Sequence, residues 1–265
     1  MMQNKFITIN SALLFTIATL LQMTIHEGGH FITAILMQSK EIILYHNYVR
    51  NTPLSINREV VIASAGPLIS LGIGMLFHLL CALQKKRNIL FLFMLYMCSF
   101  GYICFFGYIM IAPFFVNGDT GYIFQQLSFP LWLTIIIAII GVLIYIYVLK
   151  KISHFFIEMG TADIITDLSL RRPFANTLVK YPLYIGIVIT TLLNLPITVF
   201  ISLLYPLCSP LALLWLYGYL LEEKYSSENS NKEFEKLNKL QPILIVALVA
   251  IVIMNRLLVS GLHYN

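Results

Sequence analysis

Residues 24–36 read TIHEGGHFITAIL. His26 and His30 stand four apart, and residues four apart on a helix lie on one face, one turn from each other. Both rings can therefore direct a nitrogen at one point. Zinc takes histidine nitrogen at about 2.0–2.1 Å, and a pair at this spacing fits that geometry. Glu27 is turned by about 100° around the helix. It cannot easily share the coordination position, but it can hold a water on the metal, take its proton and later give it to a leaving amine. With 6 histidines and 9 glutamates in 265 residues, a chance His-Glu-x-x-His arises roughly half a per cent of the time. The motif also lies inside an apolar run, where ionisable groups are costly and usually functional. The alternative is a pair of histidines hydrogen-bonded to neighbouring helices, with Glu27 as their counter-charge.

A catalytic zinc wants three protein ligands and one open position. Of the 12 acidic residues, Asp119 in IMIAPFFVNGDTGYIF is, after Glu27, the one most tightly enclosed by apolar sequence. Pro113, Asn117, Gly118 and Gly121 surround it, which predicts a broken helix. Broken helices at membrane depth are tolerated where they line a cavity. The competing role for Asp119 is an N-cap in a surface loop.

The elements that must carry these residues are spans. The chain is 59% hydrophobic and 11% charged, against about 25% charged for a soluble domain. A helix crosses the hydrocarbon in roughly 20 apolar residues, and runs of about that length occur at 6–37, 60–83, 89–115, 130–149, 182–205 and 241–260, with a shorter seventh at 208–221. The fold class is an all-α multi-pass membrane protein with six or seven transmembrane helices. The first run is too long for a removable signal peptide and carries its polar cluster inside it. Cys81, Cys98, Cys104 and Cys208 form no C-x-x-C pair and read as packing thiols.

The net charge of +5 is explained by membrane loops rather than by nucleic acid. Threading the helices gathers Lys5, Lys85, Lys86, Arg87, Lys150, Lys151, Arg171, Arg172, Lys180 and the lysines of 222–239 on one side, against Lys40, Arg50 and Arg58 on the other. The first side is cytoplasmic by the positive-inside rule. Residues 38–57 are too polar to span, and the β-rich run 42–49 before the turn signal RNTP predicts a short strand or hairpin rather than a helix. Residues 150–181 read as an interfacial helix pair, and 222–239 as a hydrophilic loop. His46, His78, His154 and His263 lack paired spacing.

HEGGH in a spanning helix, ASAGPLIS at 63–70 and NGDTG at 117–121 together resemble the site-2 protease family of intramembrane zinc metalloproteases, over about residues 6–127. The family's third motif usually reads Leu-Asp-Gly, whereas here Gly118 precedes Asp119 and Thr120 follows it. The resemblance implies one zinc per chain held by His26, His30 and Asp119, Glu27 as catalytic base, and 41–50 as the family's short membrane-associated β-hairpin. It puts Asn117 in the polar role of the family's asparagine. It also implies a metalloprotease core over 1–128, further transmembrane helices with cytoplasmic loops over 129–265, and residence in a bacterial cytoplasmic membrane.

The expected activity is zinc-dependent cleavage of a membrane-anchored peptide or protein. A substrate unwound from its own helix would pair with strand 42–49, bringing Ile43 and Tyr45 against it, while Gly29 leaves room beside the metal. Packing against a neighbouring helix is the equal alternative for Gly28 and Gly29, and the AGP of 65–67 reads as packing against the motif helix. The second functional class is a transporter or scaffold that uses the His–Glu–Asp cluster to move ions or protons.

Overall fold

The computed structural model describes residues 5–197, 201–222, 224–225 and 239–264; most of the hydrophilic stretch 222–239 lies outside them. The helices are α1 (Lys5–Leu36), α2 (Ile56–Leu83), α3 (Ile89–Ile111), α4 (Asp119–Gln126), α5 (Leu131–Ile157), α6 (Ala162–Thr166), α7 (Leu168–Ala175), α8 (Tyr181–Leu193), α9 (Ile201–Leu207), α10 (Leu213–Glu222) and α11 (Pro242–Val259). Seven helical segments among the described residues are long and apolar enough to cross a membrane. The chain is an all-α multi-pass membrane fold with one small sheet.

The centre of the bundle is α1 and α3, whose apolar windows are 72% and 78% buried; α5 and α11, at 22% and 11%, stand at the periphery. Burying α1 requires its hydroxyls to be satisfied locally. Thr16, Thr19 and Thr24 donate to the carbonyls four residues back, Ala12, Phe15 and Leu20. The α2 and α3 backbones touch where Gly74 faces Gly101: a Cβ on Gly101 would lie 2.5 Å from the Gly74 nitrogen, an approach that only small residues permit.

The run 182–205 is not one span. The fifth span is Leu168–Leu193 and the sixth is Ser202–Glu222, so the predicted interfacial pair over 150–181 reduces to the short α6, and α7 continues through a π-helical segment (Asn176–Lys180) into α8. Prolines mislead the sequence reading here because side chains fill the gaps they leave. Pro182 withholds the amide that Leu178 O would accept, and the Tyr96 hydroxyl donates to that carbonyl at 2.5 Å. Pro206 does the same to Ser202 O, and Asn194 Nδ2 donates there at 3.2 Å.

The hairpin forms as β1 (Ile42–Leu44) and β2 (Val49–Arg50), antiparallel, with Ile43 opposite Arg50. A third strand, β3 (Leu262–Tyr264), pairs with the other side of β1 and gives the order β2-β1-β3. The expectation of a free edge along 42–49 is therefore corrected: β1 is central and saturated on both sides. Gly261 turns α11 into β3 at φ +84°, with Ile43 and Tyr45 packed so close that a side chain there would clash. Sheet, α4 and the 194–197 segment share one end of the bundle, joined by His46 Nε2–H donating to Asn194 O at 3.0 Å. The opposite end is tied by the Arg87–Glu158 ion pair at 2.6 Å.

Candidate metal centre

The third and fourth helices are separated by a sharp break that delivers Asp119. Pro113 follows the end of α3, and Gly118 caps α4 in an extended conformation. A Cβ on Gly121 would stand 2.1 Å from Phe115 O, so glycine alone lets the first turn of α4 fold back on the loop. Asp119 is the first residue of that helix rather than its cap, and α4 packs against α2 and α3.

There the carboxylate meets the motif helix. His26 Nε2 lies 2.9 Å from Asp119 Oδ2, His30 Nε2 lies 3.3 Å from the same oxygen, and the two nitrogens are 3.2 Å apart. A tetrahedral ion with bonds of about 2.0–2.1 Å has ligand-to-ligand edges of about 3.3–3.4 Å. Two edges of this triangle match, and the third is somewhat closed. These three residues could hold a metal ion. Their side chains are 3%, 8% and 23% exposed in the order His26, His30, Asp119; the carboxylate is the most open of the three. Burial raises the Asp119 carboxyl, but the facing His30 and His26 rings, when protonated on Nε2 in the metal-free protein, outweigh it and hold it well below the ordinary carboxylate range.

The far nitrogen of each ring is also engaged. His30 Nδ1 donates to Ile62 O at 2.7 Å. A carbonyl can only accept, so Nδ1 carries a proton, and in the neutral ring Nε2 keeps its lone pair. His26 Nδ1 faces Ser70 Oγ at 3.1 Å and Cys104 Sγ at 3.3 Å, and Tyr108 stacks on the His26 ring at 5.0 Å and 5°.

Glu27 is buried and stands outside the ligand group. Among the described residues no hydrogen bond engages its carboxylate. It lines a cavity of about 380 Å³ together with His30, Asn117, Asp119, Tyr108 and Val49. It also lines, with His26 and Cys104, a smaller one of about 20 Å³, which has room for a water.

The remaining expected site residues divide. Asn117 lines the large cavity; Ile43, Tyr45 and Gly29 do not. Gly29 is used in helix packing, since a Cβ there would lie 2.9 Å from Ile69 Cγ2 and 3.1 Å from Ala65 O. Tyr45 stacks on Tyr48 at 4.4 Å, and it is Tyr48 that faces the cavity. Burial lowers His46 below the ordinary imidazole value, and it serves to join hairpin to helix. Neither His46 nor His78, His154 or His263 joins the metal group.

The reading of 65–67 as packing against the motif helix holds at Gly66, whereas Ser70, Cys104 and Tyr108 were not singled out as neighbours of the histidines. Gly66 packs against the imidazoles themselves: a Cβ would lie 2.3 Å from His30 Nε2 and 2.8 Å from His26 Cε1. The available signal was periodic, since Ile62, Gly66 and Ser70 follow one another at one-turn spacing on α2 as His26 and His30 do on α1. The chain matches no protein-family model, no curated protein and no solved structure.

Proposed function

We propose that the chain is a zinc-dependent intramembrane endopeptidase that hydrolyses peptide bonds of membrane-anchored peptides or proteins, in a bacterial cytoplasmic membrane. The observation that carries this reading is the convergence of His26 Nε2, His30 Nε2 and Asp119 Oδ2 within 3.3 Å of one another, beside a buried carboxylate that is not a member of the group. Two imidazoles and one carboxylate are a donor set of the kind that catalytic zinc uses. Zinc held there supplies a Lewis acid that polarises a peptide carbonyl and makes water more acidic. His26, His30 and Asp119 do the holding. Glu27 takes the proton of the attacking water and passes it to the leaving amine nitrogen.

A transmembrane helix has no free amides, so the substrate must be unwound before it is cut. Of the two outer edges of the sheet, the one that borders the cavity is that of β2. Tyr45 N–H donates to Tyr48 O at 2.9 Å, which turns Tyr48 toward β1 and its neighbour Val49 away from it. Val49 lines the large cavity, so an extended peptide bonded to its N–H and C=O runs beside Asp119.

The deciding measurement is metal content of the purified, detergent-solubilised protein. About one zinc per chain is expected. Asp119→Ala leaves two histidines and lowers zinc affinity by more than about 100-fold, beyond the 10–100-fold typical of outer-shell changes, while Asp119→Glu keeps part of it; competition with a chelator reads both. Undiminished affinity in Asp119→Ala would remove that ligand. The second reading, proton or ion movement, draws on the short His26–Asp119 contact of 2.9 Å, which suits a shared proton as well as a metal. Absence of zinc, with activity tied to a proton gradient, would favour it.

The orientation follows from which cations share an end. Lys85, Lys86, Lys150 and Lys151 lie toward the end tied by Arg87 and Glu158, whereas Lys40, Arg50 and Arg58 lie toward the sheet. Reporter fusions after Lys86 and after Glu158 are expected to report the cytoplasm, and one at Asn51 the outside. A cytoplasmic signal at Asn51 alone among the three would invert the protein.

A further inference from the structure

Resting on the metal reading above, we infer that Ser70 is a positioning residue that fixes His26 in the tautomer able to bind the metal. His26 is 2% exposed and Ser70 is fully buried, so solvent does not choose where the His26 proton sits. Two arrangements compete. In one, the Ser70 hydroxyl donates to His26 Nδ1, the ring proton moves to Nε2 and points at Asp119, and the ligand position is blocked. In the other, the Ser70 hydroxyl donates elsewhere, Nδ1–H donates to Ser70 Oγ, and Nε2 presents a lone pair.

The fold selects the second. Ser70 Oγ donates to Gly66 O, one turn back on α2, at 2.8 Å, a closer contact than its 3.1 Å to His26 Nδ1. The Gly66 carbonyl can only accept, so it draws the hydroxyl proton away from the ring and leaves the oxygen lone pairs facing Nδ1–H. Cys104 Sγ accepts weakly from Ser70 Oγ at 3.4 Å and lies 3.3 Å from His26 Nδ1, where its S–H is a weaker donor than the hydroxyl and its sulfur a weaker acceptor than the Ser70 oxygen. The ring cannot swivel out of this choice, because Tyr108 lies parallel to it at 5.0 Å.

The result is a division of labour along one face of α2. Ile62 O sets His30 and Ser70 sets His26, with Gly66 between them bonded to Ser70 through its carbonyl and making room for both rings. Both Nε2 atoms then present lone pairs toward the Asp119 carboxylate. Three acceptors within 3.3 Å of one another are reconciled by a cation among them. Backbone fixes one ligand and cannot be mutated away; the hydroxyl fixes the other and can.

The test compares full-length wild type, Ser70→Ala and Ser70→Cys in detergent. Each is read by zinc affinity against a competing chelator, by the absorption bands of the cobalt-loaded protein, and by thermal midpoint in excess chelator. Ser70→Ala is expected to bind zinc about 10–100-fold more weakly, the range for losing an outer-shell partner, with displaced cobalt bands and a metal-free midpoint close to wild type. Ser70→Cys, which keeps a poorer acceptor, should fall between. Wild-type affinity and bands in Ser70→Ala overturn the inference while leaving the metal reading intact. If Ser70→Ala fails to fold, Ser70→Cys decides: partial loss of affinity at an unchanged metal-free midpoint upholds the assignment, and unchanged affinity overturns it. Wild-type protein that takes up neither metal overturns the metal reading and this inference with it.

Discussion

Glu27→Gln is expected to retain zinc and to lose between about 10² and 10⁴ of the hydrolysis rate, the range for removing a general base. The side chain keeps its length and its place in the wall of the cavity, so binding and packing change little. What it loses is the ability to accept a proton. Three features assign that task to this residue. It lies one position after His26 on α1, so it reaches the same cavity from a different angle. It is excluded from the group of ligand atoms that converge on Asp119 Oδ2. It borders a pocket of about 20 Å³ that also touches His26, large enough for the water whose proton it takes. Cleavage of a membrane-anchored reporter co-expressed with the protein, scored alongside zinc content, checks both halves. Full activity in the variant would take Glu27 out of the mechanism, and loss of zinc along with activity would recast it as a ligand.

The spacing of His26, Glu27 and His30 was legible in the sequence because helical periodicity is a local property. Asp119 was legible for a different reason: among few acidic residues it alone, besides Glu27, sat in apolar sequence beside helix breakers. That its carboxylate comes within 2.9 Å of His26 depends on tertiary features with no local signature, such as the space Gly121 leaves for Phe115 O. The spans failed to read cleanly where a carbonyl freed by proline found a distant donor, as Leu178 O does in Tyr96. Hydropathy cannot see a hydroxyl 82 residues away. The third strand was invisible because Leu262–Tyr264 is too short to carry a period, and it is bound by β1 rather than by its own propensity. That single omission hid the pairing of β1: with β1 enclosed between β2 and β3, Ile43 offers no free strand edge, and the sheet edge that borders the cavity is at Val49.

Gly66→Ala should abolish metal binding while leaving the fold in place. A methyl at this position would lie 2.3 Å from His30 Nε2, 2.7 Å from His30 Cε1 and 2.8 Å from His26 Cε1, all well inside van der Waals contact. Neither ring can retreat cheaply. His30 is held by its bond to Ile62 O at 2.7 Å, and His26 is backed by Tyr108. Relief therefore comes from swinging His30 off Ile62 or from prising α1 and α2 apart, and either movement opens the triangle of ligand atoms. Zinc affinity should fall by more than about 100-fold, past the outer-shell range, and hydrolysis should fall with it. Stability should change far less, because crowding of about 1–3 kcal/mol is partly offset by about 1 kcal/mol of helix propensity gained when alanine replaces glycine. Gly72→Ala is the matched control: it lies on the same helix with no atom within 4 Å of a new Cβ, so it gains the propensity without the clash and should bind zinc as wild type does. Chelator competition and metal-free melting of the two variants separate the effects. Zinc binding in Gly66→Ala equal to that in Gly72→Ala would mean that the rings do not need the space α2 leaves for them, and that the ion, if bound, sits elsewhere.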